Sequence, residues 1–99
     1  MNARLVLRPE AVRDLREAFL WYEARRDGLG QAFLRQVRAR LDQIRENPRA
    51  WATVLRSVRR AVLKRFPYGI YYEEQGERVV VLAVYHFKRS PDGWMSRVS

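Results

Sequence analysis

Residues Val79 to Tyr85, VVVLAVY, constrain the fold more than any other stretch of this chain. The run is continuous, apolar and rich in β-branched residues, and it carries no charge. It is too short for a full helix and too apolar to hold one face in water. It reads as a central strand buried on both faces or lying along the core. Upstream, Tyr68 to Glu73 is a second strand-like run, and Glu74-Gln75-Gly76-Glu77 between them is a compact hairpin turn with glycine at a positive-φ position. Val58 to Arg65 is a third. Arginine mixes there with Val, Ala and Leu, so two inside/outside registers are possible. Pro67 and Gly69 mark a strand start or bulge.

The N-terminal half has a different period. Arg4 to Leu7 makes a short first strand, ended by Arg8-Pro9. Proline suits the first helical turn, and Glu10 suits its positive end. Val12, Leu15, Phe19 and Tyr22 then recur at helical spacing, with Arg13, Asp14, Arg16, Glu17 and Glu23 on the other face. Gly28 and Gly30 break the pattern. A second amphipathic run places Leu29, Phe33, Val37, Leu41 and Ile44 opposite Arg35, Arg38, Asp42 and Arg45, and Asn47-Pro48 stops it. Two helices joined by so short a turn pack as an antiparallel hairpin, and each offers only one apolar stripe. The sheet is the surface left to receive them. At the other end, His86 to Arg89 leave the sheet and Ser90-Pro91-Asp92 starts a final turn or short helix carrying Trp94. The predicted order is β-α-α-β-β-β over a single domain, 1–99. It is an α+β fold, a helical hairpin packed on a small, mainly antiparallel sheet.

The absence of cysteine excludes disulfides and thiolate metal sites, and a reducing cytoplasm is the expected compartment. No segment approaches membrane-spanning length. The net charge is +9, and 18 of the 20 basic residues are arginine, a bias toward carboxylate or phosphate partners. Residues 1–47 mix both signs. From Arg49 to Tyr72 there are six basic residues and no acid, a single-sign stretch expected to meet a polyanion or an acidic protein. Arg56, Arg59, Arg60, Lys64, Arg65 and Lys88 are the candidate target- or partner-binding residues.

His86 is the only histidine, and its unperturbed pKa of about 6.5 suits either proton role of a metal-free ribonuclease. Arg65 and Arg89 flank it if adjacent strands pair, supplying cations for a scissile phosphate. Tyr68, Tyr71 and Tyr72 read as core or cross-strand pairs, and the three tryptophans as seals on the edges of a small core. Glu73, Glu74 and Glu77 read as a solvated turn. There is no Gly-rich phosphate loop, nucleophile elbow, zinc pattern or Ser/His/Asp set, and no cofactor is expected.

Taken together, the element order, the RR-x-x-x-x-RFPYGIYY stretch ending at Tyr72, RVVVLAVYH and the following R-x-P-x-x-W resemble the RelE/ParE superfamily of bacterial type II toxins. The similarity runs over nearly the whole chain and is most specific in Arg65-Phe66-Pro67-Tyr68 and Val79 to Arg89; its flavour is closest to the ParE-like, plasmid-stabilisation branch. The resemblance implies a growth-arresting toxin that inhibits DNA gyrase by binding. It also implies a cognate antitoxin that neutralises the toxin by wrapping across helices and sheet in a hetero-oligomer. RelE-like relatives instead enter the ribosome and cut mRNA, which would make His86, Arg65 and Arg89 catalytic. Arg65 and His86 match positions that carry function in some of those nucleases, but Phe87 stands where they can place a tyrosine. A nontoxic nucleic-acid-binding module is the third reading.

Overall fold

The computed structural model describes residues 3–98. Its elements are β1 (Arg4–Leu7), α1 (Pro9–Arg25), α2 (Leu29–Glu46), a 3-10 turn (Pro48–Ala50), β2 (Thr53–Leu55), β3 (Val58–Val62), β4 (Tyr68–Gln75), β5 (Arg78–His86) and α3 (Asp92–Met95). The five strands form one sheet in the order β1-β5-β4-β3-β2, antiparallel except for the β1–β5 pair. The predicted α+β class and helical hairpin are present. The short edge strand β2 is additional: its three residues show no alternation in sequence, and two of them are exposed. The β4–β5 turn is also tighter than expected, because Glu74 and Gln75 remain paired in β4.

β5 is interior, flanked by β1 and β4, and every residue from Val79 to Tyr85 is at most 3% exposed. Its facing does not alternate strictly along the strand. Tyr71 pairs with Ala83 and Tyr72 with Val81, so Leu82 is an extra residue, a β-bulge. Val79, Val81 and Val84 therefore face the helices, while Val80, Leu82, Ala83 and Tyr85 join the cluster on the opposite face. The bulge inverts the facing of everything after it, and so turns His86 toward Tyr68 and α1.

The helices cover the first face. Phe33, Val37 and Ile44 of α2 and Ala11, Ala18 and Tyr22 of α1 are buried there with Ile70 and Tyr72 of the sheet. Full burial of a side chain such as Phe33 is worth about 1.5–3 kcal/mol. Two α1 residues depart from the predicted faces. Val12, placed inward by periodicity, is exposed, and Asp14, placed outward, is buried. The small residues Ala11 and Ala18 set the true inner stripe, which lets α1 sit close to β5.

Between the helices, Gly28 adopts φ +86, a conformation that costs glycine little. Glu23 accepts hydrogen bonds from the backbone N–H groups of Gly28 and Gly30 at 2.8 and 2.9 Å, satisfying donors at the start of α2. Gly30 is where the helices touch: a Cβ there would lie 2.7 Å from the Phe19 carbonyl oxygen.

The opposite face is only partly covered. The C-terminal segment crosses it, with the Trp94 ring stacked on Tyr71 at 4.3 Å between centroids and 25° between planes. Of the three tryptophans, Trp94 is buried, Trp51 half-buried and Trp21 exposed. Among the described residues no helix is long and apolar enough to cross a membrane.

Candidate functional site

The end of β5 is where the candidate residues gather. His86 closes the strand opposite Tyr68 of β4, with the two rings edge to face at 5.0 Å between centroids. Burial, followed by the nearby Tyr22 hydroxyl, raises the Tyr68 pKa above its ordinary value. The half-buried imidazole accepts the Lys88 N–H at Nδ1 over 2.9 Å. The neutral ring thus carries its proton on Nε2, and Nδ1 is committed to the turn that follows the strand.

His86 and Arg89 line two cavities. One, of about 400 Å³, lies between α1 and the end of β5, and its walls include Trp21, Tyr22, Tyr68 and Lys88. The other, of about 380 Å³, lies on the open face of the sheet, with Arg60, Phe87 and Trp94 among its walls. Arg89 also rests its guanidinium 4.3 Å from the centre of the Tyr85 ring. Arg65 lines neither cavity; it is exposed in the β3–β4 connection. Of the sequence-derived trio, His86 and Arg89 share cavity walls and Arg65 lines neither cavity.

The acid-free stretch is not a single surface. On β3 the side chains alternate, which fixes the register that the sequence leaves open. Arg59 lies on the helix side and donates from Nη1 to the Trp51 carbonyl at 2.6 Å. Arg60 lies on the open side, its stem against Gly69 and its guanidinium 5.5 Å from the Phe87 ring centre. Arg56 sits at φ +52 in the β2–β3 turn, and Lys64 and Lys88 are exposed. Nor is the stretch free of acid in space. Arg49 pairs with Glu74 at 3.2 Å, and Ser57 donates to Glu73 at 3.0 Å. Arg60, Lys64, Arg65, Lys88 and Arg89 remain as the exposed cations around the open end of the sheet.

The sequence model of the ParE toxin of type II toxin–antitoxin systems, parDE, matches residues 5–91. The chain belongs to the ParE toxin family. The match begins within β1, takes in the helical hairpin and the other four strands, and stops just before α3. The chain is also similar in structure to a chain of the chromosomal ParDE toxin–antitoxin system from P. aeruginosa. The TM-score is 0.74 at 16% identity, over 85% of this chain and 95% of that one. A search of curated proteins finds no match.

In this ParE-family toxin two residues at the site escape sequence reasoning altogether. Asp14 lines the α1 cavity, and Arg97 reaches it from near the C-terminus, donating to both carboxylate oxygens. The only sequence signal is indirect: Asp14 falls on one helical stripe with Ala11, Ala18 and Tyr22. No group of three or more metal-ligating side chains occurs among the described residues.

Proposed function

We propose that this ParE-family toxin arrests growth by binding and inhibiting DNA gyrase, and that a cognate antitoxin neutralises it in a toxin–antitoxin complex in the cytoplasm. The observation that carries the reading is the family match over residues 5–91. The state of His86 supports binding over catalysis. Its Nδ1 is held by a backbone donor, Arg65 lines neither of its cavities, and Phe87 beside it has no hydroxyl. A general base needs a free lone pair within reach of the proton it removes. The antitoxin reading draws support from exposed apolar side chains on α1, Leu20 and Trp21, the second of which lines a cavity with Lys88 and Arg89.

Pulse-labelling of cells just after induction tests the reading. Thymidine incorporation is expected to fall before amino-acid incorporation. The reverse order would favour ribosome-dependent mRNA cleavage, and no fall in either with soluble protein present would remove the toxin activity itself.

A further inference from the structure

The cavity on the open face of the sheet has a composition that inhibition of a protein target does not require. Its walls combine two arginines, Arg60 and Arg89, with the aromatic residues Phe87 and Trp94 and with His86, whose ring turns away toward Tyr68, and no carboxylate lines it. Phe87 is 44% exposed, and the Arg60 guanidinium lies over its ring, 5.5 Å from the centre. The cavity volume, about 380 Å³, falls at the lower end of the range of roughly 300–1,000 Å³ that holds small ligands. That volume suits a small ligand. The larger cavity at the other end of β5 differs in kind, because Glu74 and Glu77 stand there among Arg4, Arg45 and Arg78.

Each feature of the open-face cavity has a counterpart in a nucleotide. A base stacks on an exposed aromatic ring, an interaction worth about 1–3 kcal/mol and tolerant of base identity. A phosphate is held by guanidinium donors, which present a fork matched to two of its oxygens. The floor is rigid: Tyr71, Tyr85 and Trp94 are each at most 6% exposed, and Trp94 is fixed by its stack on Tyr71. Little conformational freedom would be lost on binding. We propose that the open-face cavity is a binding site for one nucleotide, its base on Phe87 and its phosphate between Arg60 and Arg89. The site binds and does not cleave. It is independent of the gyrase reading, since it follows from the cavity alone.

The test is a titration of the whole toxin with thymidine monophosphate, with thymidine, and with oligothymidylate, followed by NMR at the Phe87 amide and the Trp94 indole N–H. Both signals are expected to shift with the monophosphate and the oligomer at millimolar concentration, and not with thymidine. A tighter oligomer identifies the ligand as a unit of a single strand; equal affinities identify a free nucleotide. Arg89→Gln, in an exposed turn, and Arg60→Gln should each weaken binding about tenfold, the loss of one charge-assisted contact. Three results would overturn the proposal: no shift with any phosphate-bearing ligand, equal shifts with thymidine, or affinities untouched by both substitutions. Equal shifts with polyglutamate would assign the cavity to an acidic protein segment instead.

Discussion

Asp14 and Arg97, 83 residues apart, form a charge pair with contacts of 2.6 and 3.2 Å, the carboxylate side chain 5% and the guanidinium 18% exposed. The pair completes the sheet. β1 stops at Leu7, opposite Val81, and beyond that point β5 loses its strand partner on that side. Asp14 accepts the Val84 N–H at 3.0 Å and Arg97 donates to the Leu82 carbonyl at 3.1 Å, so two backbone groups around the bulge are satisfied by side chains. The hydrogen bond from Arg97 to Asp14 raises the guanidinium's pKa, outweighing the opposing effect of burial.

Breaking such a pair leaves a buried charge without a partner. Asp14→Leu and Arg97→Leu singly should each cost about 3 kcal/mol, whereas the double substitution should cost less than their sum. Urea unfolding of the four proteins measures this. Additive losses would show that the two residues act separately.

Gly30 marks the closest approach of α1 and α2. Gly30→Ala would put a methyl group against the Phe19 backbone and the Glu23 carboxylate, and backbone cannot swing aside as a side chain can. A loss of about 1–3 kcal/mol is expected despite alanine's better helix propensity. An unchanged melting temperature would contradict the close packing.

The two neighbouring arginines of β3 should behave differently. Arg59→Ala removes a charged donor from the Trp51 carbonyl and is expected to lower stability by about 1.5–3 kcal/mol. Lys64→Ala and Arg65→Ala, both exposed, should leave stability within about 0.5 kcal/mol and weaken target binding in a salt-dependent way. Thermal denaturation paired with target titration at two salt concentrations separates the cases.

Tyr72, fully buried, donates its hydroxyl to the Pro48 carbonyl at 2.6 Å, and burial pushes its pKa up to about 12 from 10.0. The folded pKa is the higher one, so this contribution to stability is complete below pH 10 and disappears as pH rises toward 12. Tyr72→Phe should flatten the fall in stability across that window, at the cost of the hydrogen bond at neutral pH. Unfolding measured at several pH values between 9 and 12 would reveal an unchanged slope if the hydroxyl were not involved.

The fold was readable where the apolar pattern is strong. VVVLAVY reads as a central strand because it is short, unbroken and uncharged, and the stripe Phe33, Val37, Ile44 reads as a core face because it keeps a helical period. The bulge at Leu82 was not readable, because it is a property of the pairing between β4 and β5 rather than of either strand. Asp14 was misplaced for a related reason. A carboxylate on a helix reads as outward-facing unless its partner is known, and Arg97 lies at the far end of the chain. At the site, His86 and Arg89 were legible as chemistry, but the alternation that sends Arg59 and Arg60 to opposite faces needed the register of β3 against β4.

The central claim is that this toxin acts by binding gyrase, without catalysis by His86. The most direct measurement is a supercoiling assay with purified gyrase, relaxed plasmid and either the native toxin or His86→Ala. The imidazole's contact with Tyr68 is worth about 1 kcal/mol, so the variant should remain folded. Both proteins are expected to block supercoiling to within about twofold of each other, a difference below 0.5 kcal/mol in binding. Undiminished supercoiling at excess native toxin, with mRNA cleavage on ribosomes that His86→Ala abolishes, would contradict the account.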